Sequence, residues 1–512
     1  MKKIIFIFLV LFKLDIVSAQ IVTPNELAYR PAIHFTPKAN WMNDPNGMVF
    51  YNGVYHLFYQ HNPNAPVWGP MHWGHATSKD LLHWEHQPIG IYPDSIGTIF
   101  SGSAVLDINN TSGFGKNGKA PLVAIYTQHN MDAEKAGRDD YQNQSIAYSN
   151  DEGKTWTPYK GNPVIHTPHL KDFRDPKVFW HASTQHWVMS LAVGPFVEFY
   201  SSSNLKQWKK ESQVGGEGMG VHDGNWECPD LISFDVIEQG KKKQIWILIV
   251  NVNPGAPNKG SGTQYFVGDF DGHHFTPYDK KPKWMDYGPD NYAGVTWSNT
   301  GKRKVLAGWM SNWLYAQVVP TEKWRSGLTI PRELSLRKID NAYFLASTPI
   351  KELKALVAKE QNLNLALMNQ SLIKETSAVI LDSQLIAPLR INLNMEQAKQ
   401  FDIVLSNTKG EQVIIGYDAS LKQYYIDRTQ SGVSSFHKDF ASYNFAPRIT
   451  NANQLNIDLI IDKANVELFA DGGLSVMTAL CFPTTPYTKI TLRSNEHVQL
   501  SQCKISALKS IW

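Results

Sequence analysis

Cysteine is scarce in this sequence: 512 residues hold three, Cys228, Cys481 and Cys503. A chain so poor in thiols is not a disulfide scaffold, and pairing between Cys481 and Cys503 stays open at this level. Beyond the extreme N-terminus no apolar run is long enough to cross a bilayer as a helix, so no membrane insertion is expected. Excess charge is missing too. The net charge is +3, and Lys241-Lys242-Lys243, the one basic cluster, reads as a hairpin tip, so nucleic acid is not an expected partner. His72 and His75 sit close together, but three residues apart on a strand they face opposite sides. With no metal set, no phosphate-cradling glycine loop and no redox motif, the sequence calls for no cofactor.

Aromatic residues, by contrast, are plentiful, with 16 Trp and 21 Tyr. Their flat apolar faces and polar rims suit sugar rings, although all-β cores use them as well. Apolar residues make up 42% and charged residues 19%, the balance of a folded chain, and the length favours two domains. Lys2 and Lys3, the apolar run Ile4 to Phe12 and the small residues Val17-Ser18-Ala19 read as a signal peptide over 1–19. The mature chain is therefore expected to begin near Gln20 and to be exported, to the periplasm or the medium.

From about residue 26 to 340, short runs rich in Val, Ile, Tyr, Trp and Phe alternate with turn clusters, without long helical periodicity. A degenerate repeat lies within them. Ser78 to Trp84, Ser149 to Trp156 and Ser202 to Trp208 share a Ser, a turn and a closing Trp, and Phe270 to Phe275 is a weaker fourth copy. Units of that length suit four-stranded blades of a β-propeller, five in number, with six also open. The second copy resembles the Asp-box turn of sialidase-type propellers. Residues 341–370 read as a linker with a short helix, centred on Ile350 to Asn364. Residues 371–512 return to evenly spaced strands, which predicts a β-sandwich. The fold class expected is thus all-β, a five-bladed propeller followed by a C-terminal sandwich. Glu467 in the sandwich reads as a solvated strand acid.

Three carboxylates stand in unusual company. Asp44 lies in Asn40-Trp41-Met42-Asn43-Asp44-Pro45-Asn46-Gly47, read as a strand end turning sharply to aim the acid into a shared space. Asp175 follows Arg174 and precedes Pro176, which predicts an extended, ionised residue beside a cation. Glu227 sits between Trp226 and the Cys228-Pro229 pair, flanks that would desolvate it, as a general acid requires. Each alone has a bland reading as a turn or a salt-bridged strand end. Together, on three blades of a propeller whose loops gather round one axis, they form the set that glycoside hydrolysis needs: an ionised carboxylate, a protonated acid, and a third group to steady developing positive charge.

Phe58-Tyr59-Gln60, Trp68-Gly69, His72-Trp73-Gly74-His75-Ala76, Phe100-Ser101-Gly102-Ser103-Ala104 and Gly308-Trp309-Met310-Ser311-Asn312-Trp313 join the three acid motifs in one order along nearly the whole chain. In this the sequence resembles glycoside hydrolase family 32, the fructan hydrolases and invertases. The resemblance implies a retaining enzyme with Asp44 as nucleophile, Glu227 as acid/base and Asp175 as transition-state stabiliser. It also implies a terminal-fructosyl pocket lined by Trp41, Asn43, Gln60, Trp68, Phe100, Ser101, Arg174 and Trp309, and no catalytic acid in the sandwich. Gly308 to Ala316, Trp324-Arg325-Ser326 and Pro331 to Ser335 are more similar to microbial levanases and exo-inulinases than to plant enzymes. The expected activity is release of terminal β-D-fructosyl units from levan, inulin and fructo-oligosaccharides, with sucrose as a side substrate. The alternatives are endo-cleavage of levan and a catalytically silent fructan-binding propeller. A sialidase-like enzyme would need an Arg cluster that the sequence does not offer.

Overall fold

The computed structural model describes residues 29–167, 169–363, 376–383, 387–396, 398–494 and 499–512. The signal-peptide segment, 1–19, lies outside them. Five sheets follow one another along the chain, each opening with its innermost strand: Asn40–Tyr51, Thr98–Leu106, Phe173–His181, Asn225–Glu238 and Tyr292–Thr296. These five strands neighbour one another in a closed ring, which makes the sheets the blades of a five-bladed β-propeller. The short strand Trp324–Arg325 leaves the fifth blade and pairs in parallel with Asn40 and Trp41 of the first, joining the ends of the ring.

The Ser-to-Trp repeat is one turn built four times. Ser78 reaches Asp80 at 3.0 Å, Ser149 reaches Asp151 at 2.8 Å and Ser202 reaches Asn204 at 3.3 Å, and each acceptor then takes backbone N–H groups further along the turn. Asp271 receives the N–H groups of His273 and His274 in the same way. Each turn joins the third strand of a blade to its fourth. The fifth blade closes instead through the two-residue Asp340-Asn341 hairpin, so it leaves no copy of the repeat.

The propeller's last strand is Ala342–Pro349. Among the described residues of the expected linker, helical structure is confined to the 3-10 turn Lys351–Leu356. Val357–Asn362 is instead an edge strand paired with the chain's final strand. The expected helix is therefore replaced by strand over Val357–Asn362, because Leu353 and Leu356 find cover and the residues after them find a sheet edge; its last residue, Asn364, lies outside the described residues. Two six-stranded sheets follow and enclose an aliphatic core, forming the β-sandwich. Cys481 and Cys503 are buried there as free thiols.

Sandwich and propeller meet across buried charge. Arg332 donates to Asp286 (2.9 Å) and Glu467 (2.5 Å), and Arg428 donates to Asp290 (2.6 Å). His34 bridges Asp462 (2.9 Å) and Glu467 (2.8 Å) with both side chains fully shielded. Glu467 is thus not a solvated acid, because docking of the sandwich withdraws its strand from water. Burial opposes its charge, but Arg332 and His34 hold it down at about 2.

Candidate active site

All five innermost strands break register at one level. The irregularities fall between Met42 and Pro45, between Ile99 and Gly102, opposite Ser190 and Ala192 in the third blade, between Glu227 and Asp230, and between Tyr292 and Val295. A bulge lets one strand present successive side chains toward the same space, and here five do so around one axis. The segment expected to turn at Asp44 is therefore a single twelve-residue strand with two bulges. Gly47 permits the second: its φ is +51°, and a Cβ there would lie 2.6 Å from Trp73 and 2.8 Å from Phe58.

The expected extended geometry at Asp175 is also overturned. Its φ is +65°, and Cys228, likewise before a proline, has φ +44°. Both are strained positions, held by cross-blade bonds. The Asp175 N–H donates to Thr127 Oγ1 (3.0 Å), and Asp175 Oδ2 accepts the Cys228 N–H (3.0 Å).

Asp44 sits among donors. Ser101 Oγ donates to its Oδ2 at 2.6 Å, Asn43 Nδ2 to its Oδ1 at 3.0 Å, and Cys228 Sγ lies 3.5 Å from Oδ2. Burial raises Asp44 above the ordinary carboxylate range, the Glu227 charge adds to the rise, and the three donors oppose it. Trp41 is fully buried and spends its indole N–H on Asn43 Oδ1 (2.7 Å), so it aims Asn43 rather than offering a face to a ligand.

Arg174 does not serve Asp175 as expected. Its Nη1 donates to Asp172 (2.6 Å), while Nε and Nη2 both donate to Glu227 Oε1 (3.2 and 2.9 Å); its nearest approach to Asp175 is 4.0 Å. Burial carries Asp175 up to about 7, against the pull of Arg174 and with help from the Glu227 and Asp44 charges. Trp226, expected to shield Glu227, points away: it stacks on His222, packs near Phe266 and donates to Val221 O. The neighbour of Glu227 is Tyr292, whose hydroxyl donates to Oε2. Burial first, then that carboxylate, pushes the phenol far up, so it remains a neutral donor.

Around this cluster Trp309, Trp41 and Trp313 pack against one another, with Tyr292 near Trp309. Trp68 meets Phe100 edge-on at 6.1 Å, and Phe100 stacks on His129 at 4.2 Å. Gln60 Nε2 and Trp309 Nε1 are buried donors without a protein partner. Tyr292, Cys228, Thr127 and Asp172 were missed from sequence. Tyr292 had one signal: it opens the fifth innermost strand, at the blade position that Asp44 and Glu227 occupy in theirs.

Carboxylates from three blades share one well with a single guanidinium and with neutral donors on the strands between them. Such an arrangement is suited to nucleophilic and proton-transfer chemistry. The description Glycosyl hydrolases family 32 N-terminal domain matches residues 34–349, and Glycosyl hydrolases family 32 C terminal matches 352–507. The chain belongs to glycoside hydrolase family 32. It is a glycosidase of that family, and its relatives agree. It is 44% identical to a levanase of Bacillus subtilis over 94% of this chain and 71% of that one. It is 34% identical to an invertase of Schizosaccharomyces pombe, over 94% and 86%. An exo-inulinase crystal structure from Aspergillus awamori superposes with a TM-score of 0.84 at 36% identity, covering 94% of this chain and 99% of that one.

Proposed function

We propose that the enzyme releases terminal β-D-fructosyl units from levan, inulin and short fructo-oligosaccharides, and cleaves sucrose by the same route. The observation that carries this reading is the convergence of Asp44, Asp175 and Glu227, each presented by a bulge on a different blade. Similarity to a levanase, an exo-inulinase and an invertase supports the sugar.

In the first step an Asp44 oxygen attacks the anomeric carbon of the terminal fructosyl unit. The bond to the leaving oxygen breaks as Glu227 delivers a proton to it, which leaves a fructosyl ester on Asp44. In the second step Glu227 takes a proton from water, the water oxygen bonds the anomeric carbon, and the ester bond to Asp44 breaks. Configuration is retained. Burial raises both Asp44 and Asp175 above the ordinary carboxylate range. Asp175 faces the developing positive charge and the sugar hydroxyls. Arg174 and Tyr292 fix both oxygens of Glu227. Gln60 and Trp309 bring unpartnered N–H donors suited to a sugar oxygen. Trp68, Phe100, Ser101 and Asn43 complete the pocket. The enzyme acts outside the cytoplasm, in line with the N-terminal export pattern.

Fructose and reducing-sugar release from levan, inulin and sucrose tests the reading. Fructose alone as the product is the expected result; a ladder of oligomers from levan would convert it to endo-cleavage. Hydrolysis surviving in both Asp44→Asn and Glu227→Gln would refute the catalytic pair.

A further inference from the structure

A second concavity lies far from the axial well in the fold. It runs along the seam where the propeller's outermost strand, through Thr348, meets the outward face of one sandwich sheet, and it encloses about 640 Å³. Its base is laid out by strand register. Lys504, Asn392 and Asp458 stand in line across three neighbouring strands, and Gln502, Asn394 and Asn456 form the next row. The alternate residues Ile391, Leu393 and Met395 point into the core.

Polar residues on the outer face of a sheet are ordinary, but this selection is not. Asparagine is depleted in strands, where Thr or Val fits the pleat better. Here three asparagines and a glutamine occupy central strands of one sheet, and a local choice made against propensity marks a functional demand. The side chains are also set in place. Arg390 grips Asp458 with two bonds (2.8 and 2.6 Å), and Asn392 donates to the same carboxylate (3.0 Å). Asn394 donates to Gln502 (2.8 Å), and Lys504 pairs with Glu360 (3.2 Å). Arg390 and Asp458 are 19% and 21% exposed, ordered yet reachable. The lining charges, Lys354, Arg390 and Lys504 against Glu360 and Asp458, nearly cancel, which disfavours a charged ligand. One row runs from the donor Lys504 through Asn392 to the acceptor Asp458, and the next is made of amides that both give and take hydrogen bonds, as sugar hydroxyl groups do.

We propose that this groove is a second carbohydrate-binding site, which holds a distant stretch of a fructan chain. The sugar's identity rests on the fructosidase reading above; the presence of a site does not. Such a site raises the residence of polymers on the enzyme and leaves sucrose, too short to reach it, unaffected.

The test is a triple variant, Asn392→Thr/Asn394→Thr/Asn456→Thr, whose threonines suit a strand, with Gln502→Leu as an independent second variant. Binding is read in the full-length Asp44→Asn background by retardation in native gels containing levan, inulin or dextran. Turnover is read in the otherwise unaltered enzyme. Loss of several hydrogen bonds predicts polymer retention weakened roughly tenfold and KM for levan or inulin raised, with kcat/KM for sucrose unchanged. Unchanged retention in both variants would overturn the proposal. So would a parallel fall in sucrose hydrolysis, or equal retention of the parent on dextran. Failure of the fructosidase reading shows separately, as no fructose release by the parent enzyme.

Discussion

Raising the pH should loosen the joint between the domains through one residue, His34. Its ring lies between Asp462 and Glu467, fully shielded from water. Burial opposes its charge, but the two carboxylates prevail and lift its pKa from 6.5 to about 9. A base whose affinity for protons is higher folded than unfolded stabilises the fold while protonated in both states. The contribution is complete below pH 6.5 and is lost as the pH passes 9. The difference between about 9 and 6.5, at roughly 1.4 kcal/mol per tenfold change in affinity, gives about 3 kcal/mol. Denaturant unfolding of the enzyme and of His34→Gln, followed from pH 6 to pH 10, isolates this contribution from other titrating groups. The enzyme should lose about 3 kcal/mol more than the variant across that range. Parallel pH profiles would refute the assignment of a charged His34 at the joint.

Asp44→Asn and Glu227→Gln should each lower kcat for fructosyl release by on the order of 10⁴-fold with the thermal midpoint little changed, read by initial rates and by melting. Tyr292→Phe removes the donor to Glu227 Oε2; a hydrogen bond to a carboxylate is worth about 1.5–3 kcal/mol, so kcat/KM should fall about 10- to 100-fold. Gly47→Ala forces a Cβ into Trp73 and Phe58 at a positive φ, and should destabilise the fold by about 2–5 kcal/mol in a denaturant melt. Arg174→Lys keeps a positive charge but cannot span Asp172 and Glu227 together, and should depress kcat more than it raises KM in steady-state assays.

Much of this architecture was legible in the residues because it is written locally. The Ser-turn-Trp repeat encodes a bond between side chain and backbone within seven or eight residues, so counting copies located four blades without any tertiary information. The fifth escaped because a two-residue hairpin leaves no such mark. Alternation of apolar residues likewise announced the sandwich, and the three acids stood out by their neighbours. Those same neighbours misled on geometry. Asn-Asp-Pro-Asn-Gly reads as a turn, yet cross-strand pairing makes it a bulged strand. Trp226 and Glu227 are adjacent in sequence and face opposite ways on their strand.

By itself the sequence determined the fold class, the order of its two domains, and three acids in unusual company, since periodicity, turn residues and motifs act over a few positions. Tertiary structure alone decided which groups touch. Arg174 binds Glu227 rather than the aspartate next to it, Tyr292 arrives from the fifth blade, and Glu467 is sealed against Arg332 and His34. Burial and charge pairing depend on elements remote in the chain, and the propeller joins them only when its ring closes.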